Sequence, residues 1–485
     1  MAIAKRIAYN VVLNSSLKVI STVVLSLLSI RLITEYLGPE GFGKYATILA
    51  FFAFFSAIID LGLGPVTARE ISRQGANEKQ ILGNILALRL LSSTALFVVS
   101  PLIIVLFAYP NDLKIGLLFA SGATLFSTLS LVLNGVFQKR LSMDKVAMVE
   151  FLGKLVQVGL VILVVQNDWG FLAVASTFLA SLIFNAIVVF LLSRRYISFP
   201  LRFDFAYWKT FLKESLPMGA TAIITFAYFK MDTILLSMMQ SNTDVGIYNV
   251  AYKIMENLIF FPAMLAGLIL PLLSRFIYTD RPQFNDIADK TFAVFIIIVT
   301  PLIMGTWFLA PQIISIVSGG GFEQSASVLR ILVFALGCIF FGHYFNMLLV
   351  VSNAQKKLMQ TLIVAAVFNI VLNLFLIPRY SYMGAAFTSV ATELLVILLT
   401  GTLVFRHIGY LPSLRRVGRI LLAGVLMGAS LLLLSRASFL LAGAASVLVY
   451  VVSLWITRAV TYAEMKSLFS GKGEASPQPL DTLLS

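Results

Sequence analysis

The sequence predicts an all-α polytopic membrane protein: about fourteen transmembrane helices, arranged as two pseudo-symmetric six-helix lobes plus two C-terminal helices. Three observations predict it. The first is composition. Over 485 residues, 59% are hydrophobic and only 12% charged, with a mean hydropathy of +0.95. A soluble protein carries about 25% charged residues, so the bilayer must solvate most of this surface. The second is the placement of the basic residues, and the third is an internal repeat.

A spanning helix needs roughly 20 apolar residues. Such stretches fall at 11–34, 44–64, 82–108, 114–137, 147–166, 170–192, 216–239, 246–272, 290–310, 326–351, 358–377, 382–405, 418–435 and 437–457. Lys5 and Arg6 precede the first stretch, as in a signal peptide. That stretch is of full spanning length and lacks a small-residue cleavage site, so a retained helix is expected. When the 36 Lys and Arg are sorted by segment, 25 fall on the side of the N-terminus, seven lie within spans, and four fall opposite: Lys44, Lys114, Arg379 and Arg436. Basic residues concentrate in cytoplasmic loops, so both termini are expected in the cytoplasm. The net charge of +14 is then a topology signal and excludes nucleic acid as the partner.

Residues 1–195 and 216–407 echo each other in order. Gly43-Lys44-Tyr45 opens span 2 as Gly246-Ile247-Tyr248 opens span 8. Ser100-Pro101-Leu102-Ile103 matches Thr300-Pro301-Leu302-Ile303, and Gln138-Lys139 matches Gln355-Lys356. Gly170 matches Gly384, and Arg194-Arg195 matches Arg406-His407. Six spans per copy keep the copies parallel. Repeats of this kind commonly rock about a central site, which points to transport. The expected divisions are 1–200 for the first lobe, 216–410 for the second, 411–460 for spans 13 and 14, and 461–485 as a polar, disordered tail. Between the lobes, 201–215 reads as an amphipathic cytoplasmic connection. Its Tyr207 and Trp208, set among basic residues, are expected at the membrane surface.

Charges inside a bilayer are costly, at roughly 2.5–3.5 kcal/mol on insertion scales. The first lobe holds cations Lys18, Arg31, Arg89 and Lys154 with acids Asp60 and Glu150. The second holds Lys230 and Lys253 with Asp232, Glu256 and Glu393. Some have structural readings: Arg31 and Asp60 are near helix ends and can snorkel, while Glu150 with Lys154, and Lys253 with Glu256, have pairing spacings. Lys18, Arg89 and Lys154 lie on three helices within roughly 8 Å of the midplane. They read as one basic wall of a water-filled cavity, for which a phosphate head group is the natural guest. Span 7 carries Thr221, Thr225, Tyr228 and Asp232 on one face. Span 11 adds Asn369 and Asn373, and span 12 adds Thr388, Thr392 and Glu393. These oxygen-rich groups suit Na⁺ binding or proton transfer, or else interhelical hydrogen bonding.

No catalytic chemistry is legible. The lone Cys338 excludes a disulfide, His343 and His407 have no metal spacing, and Walker, dinucleotide and nucleophile-elbow motifs are absent. Loops opposite the basic side are too short for acceptor chemistry. A non-enzyme without cofactors is expected, apart from Na⁺ or H⁺ as coupling ion.

Leu37-Gly38-Pro39-Glu40-Gly41-Phe42-Gly43-Lys44-Tyr45, followed by Asp60-Leu61-Gly62-Leu63-Gly64 and Arg69, resembles the first helical hairpin of bacterial polysaccharide and O-antigen flippases. Leu376-Ile377-Pro378-Arg379-Tyr380 with Gly384-Ala385-Ala386 extends the likeness. These flippases belong to the multidrug/oligosaccharidyl-lipid/polysaccharide (MOP) exporter superfamily, and the resemblance covers roughly residues 5–410. It implies two MATE/MOP-like lobes around a central cavity in the bacterial inner membrane. It also implies alternating-access translocation of an undecaprenyl-pyrophosphate-linked oligosaccharide of O-antigen, capsule or exopolysaccharide. On that reading Lys18, Arg31, Arg89, Lys154 and Lys253 hold the anionic head group. Asp232, Glu256 and Glu393, with Asn369, Asn373, Thr388 and Thr392, couple an ion. Membrane lipids and the polysaccharide polymerase and assembly proteins are the expected partners. The alternatives are a cation-coupled multidrug antiporter and a lipid II-type flippase. Drug antiporters often place an acid on helix 1, where this chain has none before Glu35. Lipid II flippases carry arginines on helices 1 and 2, whereas span 2 here has no basic residue within the membrane.

Overall fold

A computed structural model of the chain describes residues 24–197 and 199–459. Lys18 and the tail from 460 onward lie outside them. The described residues form helices and no strands: α1 (Ser26–Asp60), α2 (Leu63–Ser72), α3 (Glu78–Val105), α4 (Asn111–Lys139), α5 (Met143–Gln166), α6 (Gly170–Ser193), α7 (Phe205–Met239), α8 (Asn242–Leu258), α9 (Phe260–Phe276), α10 (Arg281–Ser318), α11 (Ser325–Val351), α12 (Gln355–Ile408), α13 (Val417–Leu433) and α14 (Phe439–Ile456). Among the described residues, eleven spans are long and apolar enough to cross a membrane, and the shorter α13 joins them. Two of the eleven, α1 and α12, each hold two of the spans read from sequence. The described parts of all fourteen expected spans therefore fall on helices, and the chain is a multi-pass membrane protein.

Helix starts follow local chemistry. Asn77, Asp204, Ser241, Asp280 and Ser438 each accept a hydrogen bond from a first-turn backbone N–H of α3, α7, α8, α10 and α14. These caps satisfy donors the helix cannot. At 54 residues, a straight α12 would be about 80 Å long, far beyond the bilayer's apolar core. It breaks at Ser381, where φ is 49°, just after Pro378. Asn369 Nδ2 then donates to Thr392 Oγ1 at 3.4 Å, although 23 residues of straight helix would separate them by about 35 Å. α12 is therefore a helical hairpin. α1 breaks at Gly38, with φ 64° and ψ −174°, a conformation suited to a residue without Cβ.

The first six spans (α1 to α6) pack chiefly among themselves, as do the next six (α7 to α12). Contact between these halves runs mainly through α1 onto α7, α8 and α10, with α2 and α3 adding contacts to α7. α13 and α14 pair with each other and lean on α10. Their core joins Ile420, Met427, Tyr450 and Leu454 to Ile296.

The connection at 201–215 differs from expectation. α7 begins at Phe205 and runs unbroken into its span. Trp208 is buried and donates its Nε1 hydrogen to Asn84 O at 3.0 Å. Asn84 Oδ1 also accepts from Asp204 N at 3.1 Å. An indole with a buried acceptor gains more by packing on α3 than by lying at the membrane surface.

Candidate functional site

Two close contacts join the halves, one at each end. At the end opposite most basic residues, α1 meets α8 glycine to glycine. A Cβ on Gly43 would lie 1.7 Å from Asn242 O, and one on Gly246 would lie 2.0 Å from Pro39 O. These glycines are the matched positions of the repeat, and only their bare backbones allow the two helices so close. At the basic end, Leu61 and Gly62 adopt positive φ values of 40° and 75° and pack on α7. A Cβ on Gly219 would lie 2.5 Å from Leu61 C. Arg69 Nη2 bridges to Glu214 Oε2 at 2.8 Å on the same side.

Between these contacts lies a cavity of about 250 Å³ lined by α1, α5, α6, α7 and α8. Lys154 comes from α5, Lys230 from α7, and Lys253 and Glu256 from α8. Glu256 bridges both second-half lysines: it pairs with Lys230, and its Oε2 lies 2.7 Å from Lys253 Nζ. Lys154 Nζ donates to Gln157 Oε1 at 2.9 Å, and Gln157 Nε2 donates to Tyr45 OH at 3.2 Å. Three ammonium groups and one carboxylate leave an excess of positive charge. Lys230 also lies over the Tyr252 ring, 4.8 Å from its centroid, which helps hold the cation.

This arrangement redistributes the residues picked out in the sequence. Lys154 and Lys253 share the cavity, as a head-group role requires. Lys230, noted as an intramembrane cation but not assigned to the site, joins them. Its pairing with Glu256 spans 26 positions and two helices, which no local spacing reveals. Glu256, expected with the ion-coupling acids, sits among the lysines instead. Arg31 is not in the cavity. It pairs with Glu35 at 3.1 Å and donates to Ser315 O and Ile316 O at the end of α10. Cations suit the unpaired carbonyls of a helix C-terminus. Arg89 is not in the wall with Lys154 either. It pairs with Asp60 and lines a separate space within the first half.

The second polar cluster is buried within the second half. Asp232 is 3% exposed. It accepts hydrogen bonds from Asn373 Nδ2 at 2.6 Å, Ser389 Oγ at 2.7 Å and Tyr248 OH at 3.0 Å. Asn373 Nδ2 also donates to Asn369 Oδ1 at 3.0 Å, and Asn369 reaches Thr392. Asn373 Oδ1 and Thr388 Oγ1 are buried and have no hydrogen-bond partner among the described residues. Buried polar atoms are normally paired, so these lone pairs suit a cation. Asp232 with the neutral oxygens of Asn373, Ser389 and Tyr248 suits a monovalent hard ion, and Glu393 stands beside it as a second carboxylate. No group of three or more His, Cys, Asp or Glu fit for a metal occurs among the described residues. Glu393 and Asp232 line one narrow space with Tyr228 and Tyr252. Thr225, Tyr228, Glu393 and His343 also line a space of about 120 Å³. Thr221 stands apart, its hydroxyl donating to Pro217 O. Ser389 and Tyr248 complete the Asp232 shell. Ser389 lies four residues before Glu393 and one after Thr388, so the polar face of span 12 held a cue to it. Tyr248 is the repeat's own tyrosine.

Residues 7–277, more than half of the chain, match the family described as polysaccharide biosynthesis protein. A probable flippase, AglR, from Haloferax volcanii is 25% identical over 200 residues. That match spans 40% of this chain and 41% of the relative, about two-fifths of each. Among solved structures, the lipid II flippase MurJ in an inward closed conformation aligns with a TM-score of 0.76 at 17% identity. It covers 92% of this chain and 98% of that one. An inward-facing MATE family transporter of the MOP superfamily aligns at 0.64 and 15% identity, covering 81% and 98%. With the fold of those transporters and a match over more than half its length, this chain belongs to the polysaccharide biosynthesis protein family.

Proposed function

We propose that this protein is a flippase that carries a lipid-linked oligosaccharide across a bacterial inner membrane by alternating access. The observation that carries the reading is the cavity between the halves, lined by Lys154 from one half and by Lys230 and Lys253, joined through Glu256, from the other. A pyrophosphate would take hydrogen bonds from these ammonium groups, which are short and strong to charged oxygens. Glu256 holds two of the lysines in place of the cargo and is displaced when a phosphate arrives. The sugars fill the polar cavity, and the undecaprenyl chain stays in the bilayer. Separation at Gly43 and Gly246 opens one side, and separation at Leu61–Gly62 and Gly219 opens the other. A cargo moves such an equilibrium only through its differential affinity for the two arrangements.

Asp232, Asn373 and Thr388, with Asn369, Thr392 and Glu393 nearby, are proposed to take Na⁺, or a proton on a carboxylate. Either would supply the gradient that a chain without an ATP site needs. By the distribution of Lys and Arg, both termini face the cytoplasm. Cargo released on the far side is the substrate a polymerase or assembly complex requires. The reading is one of transport rather than catalysis, in line with the flippase relative and the transporter folds.

The test is translocation in proteoliposomes loaded with an undecaprenyl-pyrophosphate oligosaccharide. Protein-dependent movement of the sugar to the opposite leaflet supports the reading. Movement of lipid II at the same rate would shift it to the peptidoglycan precursor. Extrusion of lipophilic cations with no sugar movement would overturn it in favour of a drug antiporter.

A further inference from the structure

The first half contains a second basic space, outside the cavity between the halves. It measures about 680 Å³ and lies among α2, α3 and α4 at the basic end of the molecule. Arg69 and Arg73 reach it from α2, and Arg89 from α3; among the described residues no Asp or Glu lines it. Arg89 is 1% exposed. Only one of its nitrogens is engaged, by Asp60. Its Nε and Nη1 are buried with no partner among the described residues, as is Asn134 Oδ1 on the same lining. A guanidinium held in a membrane protein with two idle donors is costly. Its planar fork matches two oxygens of a phosphate.

The other wall is apolar. Leu131 and Met143 line it, and Leu131 is 48% exposed on a spanning helix, where exposed surface meets acyl chains. One basic pole and one lipid-facing apolar pole make an amphipathic slot. Basic pockets between transmembrane helices commonly take anionic lipid head groups. We propose that this slot is a binding site for the phosphodiester of an anionic membrane phospholipid, held by Arg89 with Arg69 and Arg73 and separate from the transported cargo. Arg69 is also the residue that bridges to Glu214 on α7, and Glu70 contacts both Arg69 and Arg73. The arginine sides of these bridges are more than half exposed, which weakens them, so a phosphate competes with them. Lipid in the slot therefore loosens the contact at the basic end.

The test uses the full chain in detergent, with native mass spectrometry counting bound lipid and competition giving its affinity. Phosphatidylglycerol is the probe. Phosphatidylcholine, inorganic phosphate and undecaprenyl pyrophosphate are the competitors. One phosphatidylglycerol should be held in preference to all three. Arg69→Ala with Arg73→Ala should weaken it about 25-fold, at about fivefold per arginine. Arg89→Gln is made together with Asp60→Asn, so that no buried charge is left alone, and should abolish the preference. Lys154→Gln with Lys253→Gln should leave phosphatidylglycerol binding unchanged while reducing transport, which separates this site from the cavity. Unchanged binding in both arginine variants overturns the proposal. Displacement by inorganic phosphate assigns the slot to the free anion, and equal displacement by undecaprenyl pyrophosphate assigns it to the cargo; both overturn the lipid reading.

Discussion

The cavity between the halves and the cluster around Asp232 lie on opposite faces of the same helices, and they solve opposite problems. The cavity is shared by both halves, carries three lysines to one acid, and has room for a guest. The cluster belongs to the second half alone, carries one central acid among neutral oxygens, and is closed. α7 and α8 contribute to both: Lys230 and Asp232 are two residues apart on α7, and Tyr248 and Lys253 are five apart on α8. A change that moves α7 or α8 to suit one site is therefore felt at the other. Coupling through a shared rigid element is the physical content of linkage between two sites. On the proposed function, the charge excess is where a large anion is exchanged, and the neutral oxygens around Asp232 are where a small cation is read.

Four variants and one control test this division. Lys154→Gln with Lys253→Gln should have the largest effect. Each lost charged hydrogen bond is worth about 1.5–3 kcal/mol, so translocation should fall by about 100-fold or more while protein levels in the membrane hold. Full transport by the double variant would break the comparison at its charged side. Gly43→Val comes next. The added carbon meets Asn242 O, and the overpacking should cost about 3 kcal/mol, read as a lower unfolding temperature. Gly159→Val is the control, since a Cβ there meets nothing within 4 Å. Equal loss in both variants would show that the glycine contact is not special.

Asp232→Asn keeps the size of the side chain and removes its charge. Cargo binding should hold within a few-fold, and the dependence of transport on Na⁺ or pH should disappear. Transport rates measured across ion gradients check it; an unaltered ion response would detach the cluster from coupling. The smallest effect is expected for Glu256→Gln. Glu256 competes with cargo for Lys230 and Lys253, so removing its charge should tighten head-group binding by about fivefold, roughly 1 kcal/mol, and slow release. Weaker binding would show that Glu256 orients the lysines instead of occupying them.

Much of the fold was legible because membrane insertion is written locally. Every expected span from 24 onward falls on a helix, and the break between spans 11 and 12 follows Pro378 as the hairpin motif implies. Asn369, Asn373 and Thr392 share the neighbourhood of Asp232 because polar faces at helical spacing had to turn inward somewhere. The site was less legible where partners come from different helices. Arg89 and Lys154 have similar depth in the membrane, yet depth carries no information about which side of a helix faces which neighbour. Arg31 lies near a helix end in the sequence, and only the position of α10 explains what it binds there. Trp208 read as an interfacial anchor because its buried acceptor, Asn84 O, lies on another helix 124 residues away.

The sequence by itself determined that this chain lives in a bilayer and where along it the apolar helices fall, and it carries the repeat from which two parallel copies are expected. Those properties depend on hydropathy, on basic residues in loops and on order along the chain, which are all one-dimensional. The tertiary structure decided that Gly43 and Gly246 meet in close contact and that Lys230 and Lys253 share Glu256. It also decided that Arg89 leaves the cavity for a pocket of its own. These depend on how each helix is rotated about its axis, and that rotation is set by packing against neighbours distant in the chain.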